Sequence, residues 1–215
     1  MIVVKCGGAV AADAAAEILE LAATEEVVVV HGAGPQISAE LARRGLGVEF
    51  VRGRRVTDAA ALGVVREMLL AVNAELCAAI GDDAVGLAGD EIGLQALPVP
   101  SLGLVGDPAP SRPQAVLDVL ADGKIPVVTP LAEGPLNVNA DEAAAALAVG
   151  LGAKRILFLT DVPGVLRDEQ VLAEVAAHEV ETGEFEGGIL PKLQAAVVAA
   201  REGVRAEIGA TEVVA

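Results

Sequence analysis

The chain has 215 residues, 53% of them apolar but only 1% aromatic, and carries a net charge of −16 at pH 7. That charge argues against nucleic acid and anionic membrane as partners, because both demand a basic face. No apolar run approaches the ~18 to 20 residues of a membrane-spanning helix, and MIVVKCGG reads as a strand entering a glycine loop, not as a leader; the expected compartment is the cytoplasm.

Strand and helix signals alternate along the chain, which predicts an α/β fold built on βαβ units. An aliphatic core of Ala, Val and Leu suits a parallel sheet buried on both faces. A strand is expected at 2–5, followed by the Gly7-Gly8 turn and a helix near 13–23. A second buried strand at 27–30 runs into HGAG (His31 to Gly34), and Pro35 suits the first turn of a helix reaching about Arg44. A strand is expected at 48–51, and Thr57 reads as the N-cap of a long helix that stops before Gly81. Between 84 and 106, short strand pieces separated by Gly and Pro read as hairpins, and the Pro-rich stretch 107–113 as a loop leading into a helix. Then come a strand at 125–128, the sequence LNVNAD opening a helix at about 141–151, and a strand at 156–160. The loop DVPGV (Asp161 to Val165) follows, then GGILPK opening a helix that ends near Gly203. A closing strand is expected at 205–208.

Phosphate chemistry in so acidic a chain needs its positive charge concentrated, which makes the few cations informative. Only four lysines occur (5, 124, 154 and 192) beside eleven arginines, and only three asparagines (73, 137 and 139). The turns Gly7-Gly8 and Gly32-Ala33-Gly34 each follow a buried strand and precede a helix, so each can aim backbone N–H groups at an anion. Neither matches GxGxxG or a P-loop. Lys5 ends an apolar strand at the carboxyl edge of the sheet, where open α/β sheets bind ligands. Lys192 opens a helix against its macrodipole, a placement that a bound phosphate would explain. Arg54 reads as part of a solvated loop, whereas Arg55 suits a bidentate carboxylate clamp. Asn137, Asn139 and Asp141 alternate, so an extended backbone would turn all three to one side; the alternative is helix capping by Asn or Asp, and Asn139 suits both roles. Cys6 and Cys77 lack metal-ligand spacing; Cys77 reads as a buried structural thiol, and a nucleophilic role for Cys6 beside the glycine loop is set aside because no histidine is close in sequence to activate it.

VKCGGA, HGAGPQ, GRRVT, LNVNADEAA, LTDVPGV and GGILPK, in this order, resemble the amino acid kinase family over essentially the whole chain, and within it the members that phosphorylate the γ-carboxylate of N-acetyl-L-glutamate. The resemblance implies a three-layer αβα sandwich with two lobes: residues 1–150 for acceptor binding and dimerisation, and 151–215 for ATP. It implies that Lys5 and Lys192 contact the transferring phosphoryl group, that Asp141 holds both lysines, and that amides of Gly8 and of Gly32, Ala33 and Gly34 meet phosphoryl and acceptor oxygens. Arg55 and Asn137, with Asn139 close by, would bind the acceptor. Asp161, Val162, Pro163, Gly164, Val165 and Leu166 would form the adenine-nucleotide pocket. ATP is the implied phosphoryl donor, with Mg²⁺ held mainly by its phosphates and no protein metal site. Where the family has HGGG, Ala33 replaces the middle glycine; a positive φ there would cost alanine about 1 to 2 kcal/mol. Loops near 89–100 and 167–170 are shorter than in the family, and the chain starts at the first strand, without the extra helix of arginine-inhibited members. A homodimer insensitive to arginine is therefore expected. The alternatives are a kinase for carrier-linked aminoadipate and a catalytically silent regulatory module.

Overall fold

The computed structural model describes residues 1–7, 11–160 and 162–215, without the side chains of 11–13. The N-terminal part comprises β1 (Ile2–Cys6), α1 (Ala11–Ala22), β2 (Val27–His31), α2 (Gly34–Arg43), β3 (Phe50–Val51), β4 (Arg54–Arg55) and α3 (Ala59–Ile80). Next come β5 (Ala84–Ala88), β6 (Ala96–Pro98), β7 (Val105–Pro108), α4 (Gln114–Ala121), β8 (Ile125–Thr129), β9 (Leu131–Ala132), β10 (Leu136–Val138) and α5 (Ala140–Leu151). The remainder is β11 (Arg155–Phe158), β12 (Leu166–Arg167), β13 (Gln170–Val171), β14 (Glu174–Ala176), α6 (Ala177–Glu181), α7 (Leu190–Arg201), β15 (Arg205–Ile208) and β16 (Thr211–Val214).

One eight-stranded sheet, ordered β14-β16-β15-β11-β1-β2-β8-β5, forms the middle layer. Its pairs are parallel except for the β15–β16 hairpin. The strands are buried on both faces, as runs such as Val27–Val30 require. Alternation sorts their side chains: Ile2 and Val4 pack with Ile18 of α1 and Leu76 of α3, whereas Val3 packs with Ala144 and Leu147 of α5 and with Leu193 of α7. The result is the expected αβα sandwich. Because Lys5 shares the Val3 face, it rises toward α5 and α7.

The chain order reverses at β1, whose neighbours are β2 on one side and β11 on the other. That is the topological switch point where open α/β sheets form a crevice beyond the strand ends. A smaller sheet, β6-β7-β10-β9, carries Asn137 and leads into α5.

Several local features differ from the sequence reading. The strand expected at 48–51 is the short hairpin β3–β4, whose turn places Arg52 and Gly53 at φ 50° and 78°. Asp58, not Thr57, caps α3: its carboxylate accepts from Ala61 N at 2.7 Å. Thr57 is fully buried instead, donating to Arg55 O at 2.8 Å and accepting from Asn137 Nδ2 at 3.0 Å. The segment read as hairpins includes β5, which joins the main sheet parallel to β8. The chain does not close on β15, because β16 turns back beside it.

Candidate active site

The carboxyl ends of β1 and β2 open onto a cavity of about 280 Å³, lined among others by Lys5, Gly7, Arg55, Asn137, Asn139 and Asp141. The turn Gly32, Ala33 and Gly34 also lines it. Residues from four separate sequence motifs thus meet in one space. Gly8 and Asp161 lie outside the described residues.

At one end, Lys5 Nζ lies 2.8 Å and Lys192 Nζ 2.9 Å from the same oxygen, Asp141 Oδ1. All three side chains are largely buried, at 10%, 12% and 14% exposure. Burial would raise the Asp141 pKa, but the two ammonium groups outweigh it and hold the carboxyl below its ordinary range. Burial pushes Lys192 down, and Lys5 pushes the same way. The cluster is a compact pair of positive charges balanced by one negative. Two ammonium groups gripping one oxygen are close enough to share a phosphoryl group. Lys192 Nζ also stands 5.5 Å from the Phe158 ring centroid, on the strand that pairs with β1.

Helix α7 begins at Leu190, and no side chain caps its N-terminus. Helix α2 likewise has no side-chain cap at Ala33. At α7, Leu190 N–H already bonds Gly187 O and Pro191 has no N–H, whereas the start of α2 lines the cavity through Gly34. Ala33 has φ −144° and ψ 29°, so the replacement of the family's glycine carries no left-handed strain. Its methyl group is buried against the α2–α3 cluster.

The other end belongs to Arg55. Its Nη2 donates to Ser38 Oγ at 2.8 Å and to Gly34 O at 3.3 Å. Its Nη1 is buried and finds no acceptor among the described residues. The half-exposed Phe50 ring covers the guanidinium at 4.6 Å. Burial alone lowers the Arg55 pKa, with no carboxylate to offset it. A buried guanidinium lacking an anion is costly, and a ligand carboxylate is the natural complement.

Asn139 caps α5, accepting from Asp141 N at 2.8 Å and Glu142 N at 3.2 Å, and this fixes the helix start that carries Asp141. Arg54 departs from its reading as a solvated residue. Its Nη2 lies 3.0 Å from Glu142 Oε2, its Nε 3.1 Å from Glu142 Oε1, and its Nη1 pairs with Asp107. Sequence gave no sign of this, since Glu142 is far along the chain. Ser38 and Phe50 were missed for the same reason.

No titrating base adjoins the lysines. His31 is fully buried and pushed down to about 4 by burial, with Lys5 adding to the effect, so it is neutral near pH 7. Cys6 is pushed up to about 11 by burial despite Lys5, so it is no thiolate nucleophile. No group of three or more His, Cys, Asp or Glu suited to a metal ion occurs among the described residues.

The stretch 162–166 stands apart from this cavity. Pro163 O accepts from Ala210 N at 2.8 Å, and Val165 N donates to the buried Thr211 Oγ1 at 2.9 Å. A Cβ on Gly164 would sit 2.7 Å from that hydroxyl, so the loop is pressed onto the β15–β16 turn. Val165 is buried, and Leu166 is largely exposed.

Comparison with known proteins agrees with this arrangement. Residues 1–209 match the amino acid kinase family. The chain is 43% identical to an acetylglutamate kinase of Rubrobacter xylanophilus, over 96% of this chain and 87% of that protein. It is 42% identical to an acetylglutamate kinase of Roseiflexus castenholzii, over 83% and 75%. A solved structure from Streptococcus mutans UA159, smu.665, superposes with a TM-score of 0.87 at 27% identity and covers 99% and 98% of the two chains. With motif order, fold and residue-level identity in agreement, this chain belongs to the amino acid kinase family, among its acetylglutamate kinases.

Proposed function

We propose that the protein transfers the γ-phosphoryl group of ATP to the γ-carboxylate of N-acetyl-L-glutamate, giving an acyl phosphate and ADP, as a step of arginine biosynthesis. The observation that carries this reading is the pairing of Lys5 and Lys192 on one carboxylate oxygen, across a small cavity from an Arg55 that has no anion. The relatives' name supplies the acceptor.

A carboxylate with a pKa near ~4.3 is already ionised at neutral pH, so no base is needed. The acceptor oxygen forms a bond to the γ-phosphorus as the bond to the bridging β,γ-oxygen breaks, and ADP leaves with that electron pair. No proton moves. Lys5 and Lys192 neutralise charge on the transferring group, and Asp141 fixes where they stand. The N–H groups at the start of α2 meet acceptor or phosphoryl oxygens. Arg55, held by Ser38, grips the acceptor's α-carboxylate, with Asn137 beside it. These residues fit an anionic nucleotide. Mg²⁺, carried mainly on the nucleotide's phosphates, would supply further charge neutralisation.

Residues 151–215 would hold the nucleotide, using the loop after β11, and residues 1–150 the acceptor. The sheet is continuous across that boundary, which lets one crevice serve both. A homodimer is supported by the exposed face of α3, where Ala71, Ala74 and Ala78 follow one another at helical spacing beside the exposed Leu70. No helix among the described residues is long and apolar enough to cross a membrane, and a cytoplasmic location agrees with an ATP-dependent biosynthetic step.

The test is an acceptor panel with Mg-ATP, trapping acyl phosphate with hydroxylamine. Signal with N-acetyl-L-glutamate supports the reading. Signal only with carrier-linked aminoadipate transfers the assignment to that substrate, and ligand binding without turnover overturns the kinase assignment.

A further inference from the structure

Three contacts and three chain steps close a circuit around the cavity. Arg54 pairs with Glu142, the neighbour of Asp141 in the first turn of α5. Asp141 pairs with Lys192 at 2.9 Å. Lys192 follows Pro191, and Pro191 lies directly against the β3–β4 turn: a Cβ placed on Gly53 would be 3.0 Å from Pro191 Cγ. Gly53, Arg54 and Arg55 are consecutive, so the circuit returns to the guanidinium whose Nη1 has no acceptor among the described residues. Asp107 grips Arg54 from the smaller sheet, so the hairpin is tied at two carboxylates and at Pro191.

Each link transmits position. Arg54 and Glu142 are only about a quarter exposed, 24% and 25%, and Nε and Nη2 of the guanidinium both donate to one oxygen, Glu142 Oε1, at 3.1 and 3.0 Å, which restricts the angle as well as the distance. Phe50 and Val51 are exposed, and β3 and β4 pair only with each other, so the hairpin is held through its arginines: Arg55 bonds Ser38 and Gly34 of α2, and Arg54 bonds Glu142 and Asp107. These ties link the hairpin to the starts of α2 and α5. Movement of Arg55 onto an anion would shift Arg54 and Gly53, and with them the starts of α5 and α7 that carry Asp141 and Lys192.

We infer that Arg54 and Glu142 are positioning residues that couple the acceptor clamp at Arg55 to the phosphoryl-binding lysines, so that acceptor and nucleotide bind cooperatively. This rests on the substrate assignment proposed above. Arg54 also lines the cavity, but its Nε, Nη1 and Nη2 are all engaged by Glu142 and Asp107. It acts by making the hairpin that grips the acceptor and the helix starts that grip the phosphoryl group move as one body. A ligand at either end then reduces the ordering left for the other.

The test measures N-acetyl-L-glutamate affinity by calorimetry with and without Mg²⁺ and a non-hydrolysable ATP analogue. In the unmodified protein the analogue should tighten acceptor binding, by a factor of roughly 5 or more. Glu142→Gln keeps the side-chain shape and should cut that factor at least about threefold, while acceptor affinity without nucleotide moves less than about twofold. Arg54→Ala should do at least the same, and the double variant should lose no more than Arg54→Ala alone, because Glu142 acts through Arg54. Arg54→Lys, which keeps charge without the two-pronged contact, should fall between Arg54→Ala and the unmodified protein. The inference is overturned by an unmodified protein with no coupling, by variants that retain it, by equal weakening with and without nucleotide, or by additive losses in the double variant. The substrate assignment fails separately, through absence of acyl phosphate from the unmodified protein with N-acetyl-L-glutamate.

Discussion

At the end of the cavity proposed for the phosphoryl group, Lys5 and Lys192 are satisfied before any ligand arrives, because both hold Asp141. At the acceptor end Arg55 is buried with one nitrogen unanswered. The contrast is sharpest between adjacent residues: Arg54 meets two carboxylates, and Arg55 meets none. Two lysines left together without Asp141 would repel each other and swing apart, so the transferring group would find no fixed charge. The acceptor clamp has the opposite need, since a resident carboxylate would compete with the ligand's own. Preorganised catalytic charge needs an internal counter-ion, whereas a binding charge is best left without one.

This difference can be broken experimentally. The largest expected effect is at the phosphoryl end: Lys192→Ala should lower kcat on the order of 100- to 1,000-fold in steady-state assays. Kinetics close to those of the unmodified protein would place the transferring group elsewhere.

Next is Asp141→Asn, which leaves two buried ammonium groups without their anion and should destabilise the fold by about 3 kcal/mol in denaturant melts near neutral pH. Asp141 has a folded pKa below its ordinary 3.8, so its contribution is present above that value and is lost as pH falls through the lower, folded one. The gap between Asp141→Asn and the unmodified protein should thus stay constant down to about pH 5 and narrow only below about pH 4. Narrowing that is already complete at pH 5 would show that the lysines do not hold this carboxylate.

At the acceptor end, Arg55→Ala should raise KM for N-acetyl-L-glutamate roughly 10- to 150-fold, with a smaller change in kcat. Unlike Asp141→Asn, it should leave thermal stability unchanged or improved, because it removes a buried charge that has no counter-ion. A fall in Tm comparable to that of Asp141→Asn would erase the distinction between the two ends. The smallest effect is Ala33→Gly. With φ at −144° the alanine is unstrained, so acceptor affinity should change less than about threefold, and stability should drop by about 0.5 to 1 kcal/mol through added chain freedom.

Much of the site was legible because the sequence is sparing with the residue types it uses there. Lys5, Asn137 and Lys192 come from sets of four lysines and three asparagines; Lys5 is near the end of β1, Lys192 at the start of α7, and Asn137 in β10 just ahead of α5. Capping was read less well. Thr57 and Asp58 are both good N-caps by type, and only the path of the chain makes Asp58 the cap and buries Thr57 under Asn137. Arg54 was misread because the bland expectation for an arginine beside a turn is solvent. Its partners Asp107 and Glu142 come from a different sheet and from the start of α5, which local pattern cannot reveal.

What the sequence determined by itself was the alternation of strand and helix, the aliphatic interior, and the glycine turns at the carboxyl ends of the first two strands. These depend on local periodicity and backbone freedom, which neighbouring residues set. Only the tertiary structure decided that Lys5 and Lys192 share one carboxylate, that Arg55 lacks one, and that the hairpin is tied to both. Such facts depend on strand order: β1 sits between β2 and β11, its side chains alternate between faces, and α5 and α7 cover the face to which Lys5 points.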